Sequence, residues 1–215
     1  MNVTALVVAK APVPGLAKTR LAAKLGDEAA ADIAAAALLD TLDAVAAAEF
    51  SARIIALTGD FAQASRREEL QAAFASYTVV EQRGDGFAER LVHAHADAAG
   101  APVFQIGMDT PQVTPALLDF SAAALSGGGS VLGTAEDGGW WGLGLTNSEL
   151  ARALLDVPMS TPDTGAKTRA ALDALGAEIR LLPVLRDVDH AEDLQPVAEK
   201  CASGSRFRRA VQRYI

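Results

Sequence analysis

The sequence contains little cysteine and few aromatic residues. Its single cysteine, Cys201, cannot form a disulfide within the chain or a cysteine-ligated zinc site. This excludes a disulfide-stapled scaffold and suits a reducing compartment. Only 5% of the residues are aromatic, whereas 46 of the 215 are alanine. The hydrophobic core must therefore be built from many small side chains, which favours helices packed on a sheet.

Positive charge is scarce, and no long hydrophobic run occurs. The chain has 19 Lys and Arg against 27 Asp and Glu, a net charge of −8, which argues against nucleic acid or an anionic membrane as a partner. The apolar run at residues 5–9 is short, ends at Lys10 and follows no basic segment. We therefore identify neither a signal peptide nor a membrane span, and expect a cytoplasmic protein.

Short β-branched segments alternate with alanine-rich segments along the chain, a pattern typical of an α/β fold with a mostly parallel sheet between helical layers. Predicted strands cover residues 2–8, 52–58, 77–81, 103–106, 130–134, 140–145 and 178–185. Predicted helices cover residues 28–48, 61–74, 87–99, 115–125, 148–155, 167–175 and 191–201. Several begin at a plausible cap, such as Asp60, Thr114 or Ser148.

The length predicts a single domain, which we assign to residues 1–204. Residues 205–215 form a tail or helix with four arginines, in contrast to the acidic whole. As a helix, this segment would pack through Phe207, Val211 and Tyr214. It can pack on its own domain or on a second subunit, so the sequence leaves a homo-oligomer open.

Ligands of an open parallel sheet collect at the carboxyl ends of its strands, so the loops there are the candidate sites. The loop after the first strand, residues 9–21, has Lys10, Lys18 and Arg20 around a turn that contains Gly15. This positive charge suits a polyphosphate, and solvated charges beside a proline turn are the alternative. A P-loop is excluded because positions 12 and 17, which would have to be glycine, are proline and alanine.

Two further loops offer groups for a nucleotide and a cation. Residues 81–87 join a strand to a helix through glycines that include Gly84, and Gln82 can donate to or accept from a base edge. A tight turn alone would also need these glycines. Asp109 follows a hydrophobic strand, where a lone carboxylate can bind a Mg²⁺ ion that bridges phosphates. Its alternative role as a helix cap is better filled by Thr114.

The last two candidate loops are rich in carboxylates. Residues 136–142 combine two carboxylates with glycines and both tryptophans, and can form either a floor for a small polar substrate or a tight hairpin. Asp187 and Asp189 alternate, so in an extended segment they face the same side and can supply a second metal contact. Asp193 is expected in the first turn of the next helix.

Other catalytic patterns are missing from the sequence. His93 and His95 are too close to act as an i, i+4 metal pair, and no further zinc ligands accompany them. There is no Gly-x-Ser-x-Gly nucleophile elbow. The three glycines at 127–129 precede a predicted strand instead of following one, so they are not a dinucleotide fingerprint.

Four segments together resemble the bacterial DUF2064 family, a glycosyltransferase-like group with the Rossmann-like GT-A (nucleotide-diphospho-sugar transferase) fold. These segments are residues 10–21, 107–111, 135–141 and 187–189. The chain also resembles the phospholactate and molybdenum cofactor guanylyltransferases. The resemblance runs in order from Val3 to about Leu194.

The resemblance implies a role for each matching residue. Phosphates would be held by Lys10, Lys18 and Arg20, the nucleotide would also border Pro14, Gly15, Gln82 and Gly84, and the metal would be held by Asp109. The second substrate would border Asp137, Gly138, Gly139 and Trp140. The sequence departs from the usual family pattern at Met108, Thr110, Trp140 and Trp141, and these departures concern the substrate more than the fold.

The resemblance also implies a reaction. Many GT-A glycosyltransferases bind their metal through Asp-x-Asp, but here Pro111 stands at the second Asp position. A second carboxylate must therefore come from elsewhere, and Asp187 or Asp189 can provide it. This is similar to the nucleotidyltransferase branch of the fold. The hypothesis is a Mg²⁺- or Mn²⁺-dependent transferase that moves a nucleotidyl group from a nucleoside triphosphate to a phosphorylated small molecule, with Lys18, Arg20 and Asp109 as catalytic residues. The alternatives are a glycosyltransferase that uses a nucleotide sugar and a catalytically silent nucleotide-binding protein.

Overall fold

The computed structural model describes residues 1–215 and contains a seven-stranded sheet. The strands are β1 (Thr4–Lys10), β2 (Ala52–Thr58), β3 (Thr78–Glu81), β4 (Val103–Ile106), β5 (Ser130–Thr134), β6 (Trp140–Leu145) and β7 (Ile179–Leu181). Their order in the sheet is β3-β2-β1-β4-β6-β5-β7. Only β6 runs antiparallel to its neighbours. The predicted α/β fold with a mostly parallel sheet is confirmed.

Eight α-helices accompany the sheet: α1 (Thr19–Leu25), α2 (Asp27–Ala47), α3 (Arg67–Phe74), α4 (Phe87–Asp97), α5 (Pro115–Ser126), α6 (Thr164–Ala174), α7 (Ala191–Lys200) and α8 (Arg206–Tyr214). Two 3-10 helices span Phe61–Gln63 and Ser148–Asp156. None of these helices has the length and apolar character needed to cross a bilayer.

The sheet has an apolar core on each face. Along the central strand β1, Ala5 and Val7 belong to a core that also contains residues of α2, α3 and α5. Leu6 and Val8 belong to the other core, with residues of α4, α6 and the second 3-10 helix. Successive side chains of a strand point to opposite faces, so a strand covered on both faces is apolar throughout. This explains why β1 is an unbroken hydrophobic run.

The structure corrects four details of the predicted elements. The predicted strand 178–185 ends at Leu181 and is followed by Pro183, which cannot donate a ladder hydrogen bond. The predicted helix 61–74 is interrupted because Arg66 adopts a left-handed conformation with φ of 50°. The predicted cap Ser148 is wrong, since the Asn147 side chain accepts the capping hydrogen bond instead. The first strand also lies two residues later than predicted.

The sequence analysis missed α1 entirely. This helix has seven residues, and Leu21 is its only buried one. The preceding residue, Lys18, lies in the left-handed region with φ 49° and ψ 49° and makes no side-chain cap. A helix this short has no detectable periodicity and is stabilised by tertiary contacts, here with α2 and the other helices of a third apolar core.

The C-terminal segment forms α8 and packs on α2. Phe207 and Val211 are buried in the third apolar core, and Tyr214 packs against it. The carboxylate of Asp40 on α2 accepts hydrogen bonds from the backbone amides of Arg206 and Phe207. These contacts anchor the first turn of α8, whose amides would otherwise lack partners.

Candidate functional site

The candidate site lies at the edge of the sheet where β1 and β4 end. The loop after β1 leads to Lys18, and the loop after β4 leads to Asp109. The late loop with Asp189 joins this edge because the backbone amide of Val188 donates a 2.9 Å hydrogen bond to the carbonyl of Asp109. Residues separated by up to 171 positions in the sequence are thus neighbours in the fold.

Lys18 lies between two carboxylates. Its Nζ is 2.7 Å from Asp189 Oδ1 and 2.9 Å from Asp109 Oδ1, and its side chain is only 12% exposed. Burial by itself lowers the pKa of Lys18, but the two carboxylates outweigh it and raise the pKa above its ordinary value. Lys18 therefore remains a cation. Arg20 stands farther out, 3.5 Å from Asp189 Oδ2 and largely exposed.

Asp189, which contacts Lys18, also belongs to a second group of carboxylates. Oxygens of Asp137, Asp187 and Asp189 all lie within 4.8 Å of one another. Burial and the charges of Asp137 and Asp189 raise the pKa of Asp187 to about 6. Together with Asp109, these residues place four carboxylates around Lys18 and Arg20, so negative charge is in excess. Hard divalent cations prefer such oxygen ligands.

The turn that holds Asp137 depends on close backbone packing. Asp137 Oδ1 accepts a 2.8 Å hydrogen bond from the amide of Gly139. Gly138 has φ of 90°, and a Cβ there would lie 1.8 Å from the carbonyl oxygen of Pro162. The amide of Gly165 in turn donates to the Gly138 carbonyl at 2.8 Å. Gly138 and Gly139, predicted to border a substrate, therefore have a packing role that orients Asp137.

The two adjacent tryptophans have different surroundings. Trp141 is buried, packs edge-on against Phe104 and donates from Nε1 to the carbonyl of Pro183 at 2.9 Å. Trp140 is half-buried against the core on the opposite face, and its Nε1 is buried without a hydrogen-bond partner. Trp140 is therefore the partly accessible tryptophan of the pair, while Trp141 is structural.

The loop after β1 is stiffened by its own hydrogen bonds. Lys10 Nζ donates to the carbonyl of Leu16 at 2.7 Å, and the amides of Leu16 and Ala17 donate to the carbonyl of Val13. Gly15, which follows Pro14, has φ of 75°, a conformation that other residues rarely adopt. The exposed residue Lys10 thus braces the loop. Unlike Lys18, it forms no ion pair with the carboxylates.

Gln82 and Gly84 lie in the loop that follows β3. Gln82 Nε2 donates to the carbonyls of Ala9 and Ala56, at 2.9 and 2.8 Å, so both amide hydrogens are used. Its Oε1 is the only polar side-chain atom left for a ligand. Gly84 has φ of 126°, and a Cβ there would lie 2.7 Å from the Cβ of Glu89. Close packing on α4 is thus one reason for that glycine.

Some supporting residues were not found from the sequence. Arg186 pairs with Glu136 at 2.6 Å and joins the fourth and fifth candidate loops. Gln112 is buried and donates to the backbone carbonyl of Arg186 at 2.6 Å. In the sequence, only their position next to predicted site loops could have indicated these supporting residues. Asp193, predicted in the first turn of a helix, is confirmed there and accepts hydrogen bonds from the amides of Asp189 and His190.

Met108 and Thr110, which depart from the usual family pattern, flank Asp109 and are both buried. The sulfur of Met108 accepts a 3.3 Å hydrogen bond from the backbone amide of Lys10, which links the loops after β1 and β4. The hydroxyl of Thr110 is buried without a partner. These buried neighbours therefore help to fix the position of Asp109 in its loop.

Solved structures with this fold cover nearly the whole chain. A protein of Desulfovibrio desulfuricans G20 assigned by name to the nucleotide-diphospho-sugar transferases has 22% identity and a TM-score of 0.79, over 100% of this chain and 99% of that one. CMP:2-keto-3-deoxy-manno-octonic acid synthetase complexed with CTP has 12% identity and a TM-score of 0.58, over 92% and 97%. Rv0371c of Mycobacterium tuberculosis H37Rv in complex with manganese has 20% identity and a TM-score of 0.56, over 93% and 99%.

These similarities establish a shared fold with nucleotide-dependent transferases. No curated protein matches the chain. The family described as uncharacterized proteins conserved in bacteria (DUF2064) matches residues 41–161, more than half of the chain and a span that includes Asp109 and Asp137. The chain therefore belongs to the DUF2064 family.

Proposed function

We propose that this protein is a divalent-cation-dependent transferase that moves a nucleotidyl group from a nucleoside triphosphate to a phosphorylated small molecule. The observation that supports it best is the meeting of Lys18 and Arg20, from the loop after β1, with Asp109, Asp187 and Asp189 at one edge of the sheet. Such a site combines cations for phosphates with carboxylates for a metal.

The donor set fits a divalent cation. Asp187 and Asp189, proposed as ligands with Asp109, have oxygens within 4.8 Å of each other, and Asp137 extends this group. The raised pKa of Asp187 reflects burial and neighbouring negative charge that the protein itself does not neutralise. Mg²⁺ typically binds one or two carboxylates and completes its shell with phosphate oxygens and water, and Mn²⁺ prefers similar ligands. When bound, the cation would offset negative charge on the triphosphate.

The protein side chains then act by binding and orienting the substrates. Lys18 and Arg20 offset charge on the phosphates, and Gln82 offers Oε1 to the base. A phosphate oxygen of the acceptor forms a bond to the α-phosphorus, while the bond from that phosphorus to the bridging oxygen breaks and pyrophosphate leaves. An ionised phosphate needs no general base, so positioning and electrostatics suffice without a nucleophilic side chain.

Glycosyl transfer from a nucleotide sugar is the second candidate. It is favoured by the half-buried indole of Trp140, which follows the Asp137–Gly139 turn at the start of β6, because an accessible aromatic surface suits a sugar ring. The two reactions release different products. Nucleotidyl transfer releases pyrophosphate, whereas glycosyl transfer releases a nucleoside diphosphate.

The first experiment is a thermal-shift panel of nucleoside triphosphates and nucleotide sugars, each with and without Mg²⁺. A ligand that binds only the folded state raises the apparent stability according to its affinity. We expect one triphosphate to raise the Tm only with Mg²⁺, and Asp109→Asn to abolish this shift. Asp156→Asn, at an exposed position, is the matched control and keeps it. A preference for a nucleotide sugar would support glycosyl transfer, and no shift with any nucleotide would contradict both functions.

A further inference from the structure

The ammonium group of Lys18 contacts both carboxylates that flank it. Its Nζ donates a charge-assisted hydrogen bond to Asp189 Oδ1 at 2.7 Å and forms an ion pair with Asp109 Oδ1 at 2.9 Å. A divalent cation held by Asp109 and Asp189 would use the same two oxygens. Lys18 and such a cation therefore compete for one position.

Contacts that do not involve Lys18 hold the loops of the two carboxylates together. The hydrogen bond from the Val188 amide to the Asp109 carbonyl joins their loops through backbone atoms alone. Asp193 further holds the amide of Asp189 through its own carboxylate. Two like charges held on adjoining loops repel each other, so a positive charge between them stabilises the site.

The backbone of Lys18 adopts a conformation that is uncommon for lysine. Its φ of 49° and ψ of 49° lie in the left-handed region, which is disfavoured for lysine, and no side chain caps α1 at this end. Lys24, on the helix that Lys18 precedes, makes only a 4.0 Å exposed contact with Glu192. Of these two lysines, only Lys18 is directed into the carboxylates.

We propose that Lys18 is an internal counterion that holds Asp109 and Asp189 in the absence of a divalent cation and exchanges them for a phosphate oxygen when cation and nucleotide bind. The inference rests on the proposed function, because it needs a cation and a phosphate ligand at this edge. Lys18 thereby disfavours the binding of a cation alone. The cation binds at full affinity only when a nucleotide phosphate can accept the displaced ammonium group.

The test measures binding of Mn²⁺ alone, without nucleotide, by electron paramagnetic resonance of the free ion. We expect Lys18→Gln to lower the Kd for Mn²⁺ by about tenfold or more relative to the wild type, since a competing charge is removed. Lys24→Gln removes an equal charge from α1, which Lys18 directly precedes, and should leave the Kd unchanged. Lys18→Ala is a second variant, and Mn²⁺ should raise the Tm of both Lys18 variants more than that of the wild type.

The outcomes separate the inference from the function. Equal or weaker Mn²⁺ binding by both Lys18 variants, with measurable binding by the wild type, would overturn the counterion role and leave the cation-dependent transferase standing. A similar gain in Lys24→Gln would show a general charge effect and also overturn it. No Mn²⁺ binding by any variant would also overturn the counterion role, whereas the proposed function is rejected only if no nucleotide shifts the Tm in the presence of Mg²⁺.

Discussion

The backbone amide of Val188 donates a hydrogen bond to the carbonyl of Asp109, at 2.9 Å. This contact joins the loop after β4 to the late loop and so places Asp189 opposite Asp109. Because it involves only backbone atoms, the pairing of these carboxylates does not depend on their charge. It is the structural basis of the proposed site.

Substitution of Arg20 tests its proposed role in phosphate binding without disturbing the fold. Its side chain is 65% exposed and meets Asp189 only at 3.5 Å. We expect Arg20→Gln to weaken the binding of the triphosphate about tenfold, as expected for loss of one charge-assisted contact, with little change in Tm. The measurement is the nucleotide Kd in the presence of Mg²⁺. An unchanged Kd would remove Arg20 from the phosphate site.

Gly165 tests the close packing that orients Asp137. A Cβ at Gly165 would lie 2.6 Å from the carbonyl oxygen of Gly139, so Gly165→Ala must displace the turn. We expect a loss of about 1–3 kcal/mol in the free energy of unfolding, the usual cost of overpacking. Denaturant unfolding measures it. Gly204→Ala, where a Cβ meets nothing within 4 Å, is the control and should be nearly neutral.

The burial of His95 is expected to make the stability of the protein depend on pH. It is fully buried on α4, hydrogen-bonded to Gln105 at 2.9 Å, and burial lowers its pKa from 6.5 to about 4. The unfolded chain therefore binds a proton between these values while the folded chain does not. Stability contributed by His95 is present above about pH 6.5 and falls as the pH decreases towards 4, by about 3 kcal/mol in total.

Urea unfolding at several pH values between 4 and 7 measures this slope. We expect His95→Gln to be less stable at pH 7 but to lose less stability on acidification than the wild type. His93→Gln keeps His95 and should therefore keep its slope. Parallel slopes in the wild type and His95→Gln would show that the acid sensitivity has another origin.

Phe207 measures how much the C-terminal helix contributes to stability. Its side chain is completely buried between α8 and the helices beneath it. We expect Phe207→Ala to lower the free energy of unfolding by about 3–5 kcal/mol, through lost burial and the cavity left behind. Ile215→Ala, at a position 67% exposed, should change it by less than about 0.5 kcal/mol. Similar values for both variants would mean that α8 packs only loosely.

Local sequence patterns predicted most of the fold. Strands β2, β4, β5 and β6 were predicted with the bounds that they have in the structure. Their signal is local, because a run of β-branched or apolar residues bounded by turn residues is visible within a few positions of the sequence. Elements that depend on distant contacts were not predicted correctly. Helix α1 is too short to form by propensity, and β7 stops early because Pro183 interrupts its ladder.

The same division holds for the candidate site. The sequence by itself determined which loops gather at one edge, since the carboxyl ends of parallel strands lie together whatever their side chains are. Only the tertiary structure decided that Lys18 contacts Asp109 and Asp189 and that Asp137 joins Asp187. Those contacts depend on the backbone pairing of two loops and on close packing at Gly138, and both arise between residues far apart in the sequence.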